Sequence, residues 1–269
     1  MRSKDGRTTK DGIRIHQESD FAGMHAAGKL AAQILDDIAN YVFPGQTTGE
    51  IDRIITKMVD DAGAKSATIG YKGYQHASCI SVNHVVCHGI PGDKKLKDGD
   101  ILNIDVTVIV DGWFGDTSRM FVAGKLPRKA ERLIQVTHDS LMKGIEAVKP
   151  GNTFGDIGHA IQSYAESQRM SVVRDFCGHG LGTVFHAPPN VLHYGRPGTG
   201  PRLEEGMFFT IEPMINLGRP ETKILADEWT AVTRDKSLSA QFEHSIGVTA
   251  DGFEIFTLSP AGKFHPTYG

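Results

Sequence analysis

The run Ile101–Met120, ILNIDVTVIVDGWFGDTSRM, carries a β-branched stretch into the dipeptide Asp111-Gly112 and a second apolar stretch out of it. Asp-Gly is a strong two-residue hairpin signal, because both turn positions need positive φ. Pairing Val110 with Trp113 sets Thr107 opposite Asp116. Asp105 shares a sheet face with Thr107, since strand side chains alternate. Asp105 and Asp116 then become diagonal neighbours, roughly 7–8 Å apart at the backbone, near enough for both carboxylates to converge on cations. Without a cation they repel each other. Taken alone, the run can equally be a solvent-facing hairpin with two unrelated acids.

Working outward, LKDGDILNID ending at Asp105 has a counterpart in LEEGMFFTIE ending at Glu212. The pattern V-x-P-G-x-T-x-G-[ED]-I occurs from Val42 to Ile51 and again from Val148 to Ile157, at nearly the same separation. Two such matches point to a duplicated αβ unit. The first copy starts with an amphipathic helix near Ser19 or Asp20, where Met24, Ala27, Leu30, Ala31 and Ile34 recur at helical spacing and Pro44-Gly45 ends the segment. A second helix starts near Thr48, and short β-type runs such as CISVNHVVC follow from about residue 67. The expected fold class is α+β. Each half carries helices over one face of a curved, largely antiparallel sheet, and the cleft they share is the site. Asp105 and Glu212 hold matching places in the two copies, so both halves offer a carboxylate to the centre.

The 269 residues, 39% of them hydrophobic, suffice for a full-sized core. A net charge of -3 gives no basic excess, so neither nucleic acid nor an anionic membrane is an expected partner. Three cysteines, Cys79, Cys87 and Cys177, contain no CxxC pair and cannot form a disulfide framework. They fit a reducing compartment, and a cytoplasmic location is expected. The opening stretch MRSKDGRTTKDGIRIHQ lacks the apolar core of a signal peptide, and no run approaches the roughly 18 apolar residues of a membrane span. No GxxxxGK[ST] loop, GxSxG elbow or HExxH pair is present.

The remaining candidates for metal chemistry are His179 in FCGHGLG, Glu212 in FTIEPM and Glu243 in AQFEHSIGV. Together with Asp105 and Asp116 they form an oxygen-rich set with one imidazole, suited to Mn(II), Fe(II), Co(II) or Zn(II). A buried Glu on an apolar strand needs a cation or donor to compensate it. His88 in CHGIPG and His186 in FHAPPN each precede a Pro-containing turn, look related by the duplication, and are candidates to donate hydrogen bonds to a carbonyl or oxyanion. A lone His in such a place is more often structural.

At these residues the chain resembles the type I methionine aminopeptidases of the pita-bread superfamily, from about residue 15 to 257. The anchors are GYKGYQHASCISVNHVVCHGIPG, DGDILNIDVTVIVDGWFGDTSRMF, FCGHGLGTVFHAPPNV, GMFFTIEPM and SLSAQFEHSIGVT. The resemblance implies removal of the initiator methionine from nascent polypeptides, with preference for a small second residue. It implies two divalent ions, with Co, Mn, Fe and Zn all compatible, on Asp105, Asp116, His179, Glu212 and Glu243, with Asp116 and Glu243 bridging. It implies catalytic roles for Glu212, His88 and His186, and a substrate pocket of Tyr71, Tyr74, Cys79, Phe185 and Trp229 beside the two histidines. Thr68 departs from the cysteine that many bacterial members carry near the pocket mouth. The short step from Glu212 to Glu243 leaves no room for the helical insertion of type II members.

The expected organisation is a solvated tail at 1–18, a single pita-bread catalytic domain at 19–257 with halves about 19–140 and 141–257, and a C-terminal tail at 258–269 without a readable role. Nascent N-termini are the expected partners, the ribosome is a further candidate, and a monomer is the expected state. A proline-specific aminopeptidase or prolidase is the nearest alternative, although such enzymes usually carry an additional N-terminal domain. A non-catalytic pita-bread peptide-binding module is the alternative from a different class, although such relatives typically lose metal ligands.

Overall fold

Helices α1 (Glu18–Ile38) and α2 (Thr48–Asp61) are matched by α3 (Arg128–Glu146) and α4 (Phe154–Ser167) in the computed structural model, which describes residues 7–266. The repeated Val-x-Pro-Gly segments open α2 and α4 in the same way. Thr47 and Thr153 are the N-caps, and their amides donate to the Glu50 and Asp156 carboxylates at 3.0 and 2.7 Å. Each capping box satisfies amides that a helix start leaves open. Gly45 and Gly151 both take positive φ, and their amides donate to the Leu96 and Leu203 carbonyls at 2.8 and 3.1 Å. The duplication is therefore present in the backbone hydrogen bonds as well as in the letters.

Asp100–Val110 and Trp113–Ala123 form a long antiparallel hairpin with Val110 opposite Trp113 and Thr107 opposite Asp116, the register expected from the turn. Asp111 and Gly112 both have positive φ, as the tight turn demands. Alternation then sorts the side chains. Leu102, Ile104, Val106 and Val108 face α1 and α2, packing with Ile34, Leu35, Ile51 and Ile55. Asn103, Asp105 and Thr107 point the other way, toward the centre. In the second half, Phe209 and Ile211 of the strand Phe208–Ile211 pack with Leu133, Ile157 and Ile161 from α3 and α4. Each such buried side chain contributes about 1.5–3 kcal/mol, so the helix faces anchor both strands and hold the inward residues in place.

The halves meet through hydrogen bonds between their central strands. The Glu243 amide donates to the Ser118 carbonyl at 3.0 Å, and the Thr117 hydroxyl donates to the Glu243 carbonyl at 2.7 Å. The Asn103 side chain donates to the Gln241 carbonyl at 2.8 Å. All strand pairings among the described residues are antiparallel. No helix among them is long and apolar enough to cross a membrane.

Three expectations about boundaries need correction. Residues 8–17 are no solvated tail. Ile13 is buried in the main core, the His16 amide donates to the Gly206 carbonyl at 2.7 Å, and the His16 ring stacks on Phe208 at 4.1 Å. The division at 140/141 falls inside α3, whereas α3 stands to α4 as α1 stands to α2, so the second half begins before Arg128. The C-terminal tail is also tied down, because the Ser259 hydroxyl and the Ala261 amide both donate to the Asp36 carboxylate, at 2.7 and 3.0 Å. Residues 1–6 and 267–269 of the two tails lie outside the described residues.

Candidate metal and substrate site

Between the halves lies a cavity of about 880 Å³. Every site residue expected from the sequence lines it: Tyr71, Tyr74, Cys79, His88, Asp105, Asp116, His179, Phe185, His186, Glu212, Trp229 and Glu243, with Thr68 beside them. Its floor is acidic. Asp105 and Asp116 come from the central hairpin, and Glu212 directly follows the strand Phe208–Ile211. Strand Phe208–Ile211 pairs with His244–Val248, then Met214–Asn216 pairs with Ser239–Gln241. Glu212 and Glu243 therefore sit in the same break between two ladders, and both carboxylates turn into the cavity.

His179 lies in Gly178–Gly180, where a Cβ at Gly178 would overlap the Thr210 carbonyl oxygen and one at Gly180 the Pro188 carbonyl oxygen. Glycine thus lets the neighbouring chains approach closely enough to aim the imidazole. His179 Nδ1 donates to the Gly180 carbonyl at 3.2 Å, leaving Nε2 toward Asp116 at 3.4 Å and Glu212 at 3.7 Å. Potential ligand atoms of Asp116, His179 and Glu243 all lie within 4.8 Å of one another.

Burial and the neighbouring acids Asp116 and Glu212 hold the Asp105 carboxyl well above the usual range, and the same causes act on Glu243. Burial also pushes Glu212 up to about 7, with His179 pulling against it and Asp116 adding to it. Burial opposes the imidazolium of His179, but the hydrogen bond with Asp116 and the charge of Glu212 prevail and raise it. Asp105 Oδ1 is buried without a hydrogen-bond partner among the described residues. Several buried acids with too few donors form a set that cations satisfy, and the oxygen-rich donors with one imidazole fit divalent ions.

Above the floor stand two aromatic walls. Tyr71 meets Phe185 at 4.9 Å and stacks on His186 at 5.2 Å, while Tyr74 packs against Trp229 at 4.9 Å with His88 near the same indole. The Tyr74 hydroxyl donates to the Ser78 carbonyl at 2.9 Å, which fixes that ring. Cys79 lies directly across the strand pair from Asp105. Burial lowers the pKa of His88 and takes His186 down to about 4, so both rings are neutral at pH 7 and each offers one N–H. His88 is held at a φ of 55°, in the left-handed region that side chains rarely adopt. The two histidines are not equivalent in the duplication. Gly49 and Gly155 bond to Gly92 and Thr199, a pairing that puts the counterpart of His88 near residue 195.

Other side chains support these acids. The Thr107 hydroxyl donates to Asp116 at 2.7 Å, and the Thr210 hydroxyl and Gln241 amide donate to the two Glu212 oxygens at 2.8 and 3.3 Å. Strand alternation places Thr107 beside Asp105 and Thr210 beside Glu212, so that signal was available. Phe176 and Met214 also line the cavity, and no local pattern marks them. Thr68 turns its hydroxyl to the His76 carbonyl at 2.7 Å.

The model of metallopeptidase family M24 matches residues 22–250. A methionine aminopeptidase of Rickettsia prowazekii is 60% identical over 257 residues, covering 95% of this chain and 99% of that protein. One from Escherichia coli K12 is 52% identical over 248 residues, covering 91% and 94%. The crystal structure of the Rickettsia prowazekii enzyme superposes with a TM-score of 0.91, covering 91% of this chain and all 100% of that one. A prolidase from Pyrococcus horikoshii, 20% identical with a TM-score of 0.72, shares the fold alone, and the match spans only 63% of its chain. The chain belongs to metallopeptidase family M24, and within it to the methionine aminopeptidases.

Proposed function

We propose that the chain is a monomeric, cytoplasmic hydrolase that removes the initiator methionine from nascent polypeptides. The observation that carries the reading is the convergence of buried, under-satisfied carboxylates and one imidazole with a set of aromatic residues around one cavity. Asp105, Asp116, His179, Glu212 and Glu243 would hold two divalent ions. Such ions, when bound, polarise a carbonyl and supply an activated water at neutral pH.

The protein side chains do the rest. Tyr71, Tyr74, Cys79, Phe185 and Trp229 receive the methionine, whose flexible thioether suits aromatic and sulfur surfaces. The acidic floor by Asp105 attracts the free α-ammonium, which confines cleavage to the first peptide bond. His186 donates its N–H to the oxyanion, and His88 donates to the scissile amide group. Glu212 takes a proton at its carboxylate and returns it to the leaving amine. The walls beyond the methionine pocket favour a small second residue.

Met-Ala-Ser should be hydrolysed, while N-acetyl-Met-Ala-Ser and Xaa-Pro peptides should not. Preferential turnover of Xaa-Pro peptides would reject the reading. His186→Ala is expected to lower kcat by roughly 10²-fold, as for loss of one oxyanion donor. Elemental analysis should show unchanged metal content; loss of metal would make His186 a ligand instead. Metal loading should also depend on pH. Ligation needs the acids deprotonated and His179 neutral, yet the metal-free site holds protons up to about pH 7 at Glu212. Mn(II) affinity should therefore rise between about pH 6 and 8, with proton release seen by calorimetry in buffers of different ionisation enthalpy. A pH-independent affinity would contradict it.

A further inference from the structure

At the break between the two ladders, Glu212 and Glu243 pair with neither ladder's neighbouring strand. Glu243 gives its N–H to the Ser118 carbonyl across the seam. Glu212 gives its N–H to a side chain, His193 Nε2, at 3.1 Å. His193 lies two residues past the strand Ala187–Val191 and is 0% exposed. Since Nε2 accepts, the ring proton is on Nδ1, and Nδ1 is buried with no hydrogen-bond partner among the described residues.

We infer that His193 is a positioning residue for the reaction, acting through Glu212 by accepting its backbone N–H and so fixing the direction in which that carboxylate enters the cavity. A fully buried imidazole with one ring nitrogen unsatisfied is a poor filler, because an apolar side chain of similar volume would occupy the space without that desolvation cost. The ring's single hydrogen bond among the described residues goes to the amide of a site acid. Thr210 and Gln241 hold the two Glu212 oxygens, so the amide contact supplies the third fixed point and sets where the peptide plane lies. No ladder bond can do this, because the sheet must open at Glu212 to release its carboxylate toward the centre. The first half needs no such device, because Asp105 sits inside an uninterrupted strand.

The inference rests on the hydrolytic reading above, and its test separates the two. His193→Gln keeps an acceptor at similar reach, and His193→Leu removes it while keeping an apolar volume. His193→Leu is expected to lower kcat on Met-Ala-Ser by about tenfold to a hundredfold with KM changed less than about threefold, and to weaken Mn(II) binding by a similar factor, as removal of a group that orients a metal ligand does. His193→Gln should restore both to within about threefold of the parent. Parental kcat and Mn(II) affinity in His193→Leu would overturn the inference, as would a His193→Gln protein as impaired as His193→Leu. Should His193→Leu fail to fold, the parent decides. A through-hydrogen-bond 15N–15N coupling between the Glu212 amide and His193 Nε2 is expected, and its absence overturns the inference. A parent that binds Mn(II) but leaves Met-Ala-Ser intact would remove the proposed function, while the calorimetry and the coupling still judge His193.

Discussion

Asp116→Asn is expected to lose bound metal and peptide hydrolysis together, with kcat/KM falling by at least about a thousandfold, because metal assistance supplies several kcal/mol of transition-state stabilisation. The substitution keeps the shape and retains a carbonyl oxygen for the Thr107 hydroxyl, which lies 2.7 Å from Asp116. What it removes is the negative charge at the place where potential ligand atoms of Asp116, His179 and Glu243 crowd within 4.8 Å. A neutral amide is a weaker ligand for a divalent ion than a carboxylate. Removing one of several mutually repelling acids also relaxes the metal-free site, so thermal stability without metal should stay level or rise while activity disappears. Elemental analysis and Met-Ala-Ser turnover, measured on the same sample, follow the two losses together. Full turnover by a metal-depleted Asp116→Asn/Glu243→Gln protein would reject the assignment of the site.

Asp36→Ala is expected to cost about 3–5 kcal/mol of stability, the range for breaking a buried ion pair from one side. Asp36 and Arg119 are both buried, and Arg119 Nη1 donates to Asp36 Oδ1 at 2.6 Å. The same carboxylate accepts from the Ser259 hydroxyl and the Ala261 amide, so its loss also strips donors in the C-terminal segment. Urea unfolding of the metal-depleted protein measures the change directly. The double variant Asp36→Ala/Arg119→Met should regain most of the loss, since it takes away the charge left behind. A single variant within about 0.5 kcal/mol of the parent, the range of an ordinary surface substitution, would show that the pair contributes nothing net.

The parts of the fold legible in the sequence are those in which local chemistry leaves one choice. Asp111-Gly112 admits a tight turn, the turn sets the register, and the register brings Asp105 and Asp116 together on one face. The repeated Thr-x-x-[ED] boxes mark two helix starts for the same reason. The cavity floor and its aromatic walls were legible through motif resemblance, residue by residue. The packing of segment 8–17 is not legible in the sequence because a single buried Ile13 and a single stacked His16 make no periodic pattern. The division between halves is hard to place in the sequence because the second copy of α1 lacks the Val-Pro-Gly letters that flag α2 and α4, although Pro127 ahead of Arg128 marks a helix start. His193 had no signal at all, because its partner is an amide that becomes unpaired only where two ladders separate.

The fastening of Ser259 and Ala261 to Asp36 also imposes an order on biosynthesis. The carboxylate belongs to α1, and two of its donors lie 223 and 225 residues further along the chain. A growing chain can pack α1 on its hairpin early, yet Asp36 lacks these two donors until Ser259 and Ala261 have been added. Truncation ahead of Ser259 would reproduce that immature state permanently, which makes the segment Ser259–Ala261 a latch on the first half of the molecule.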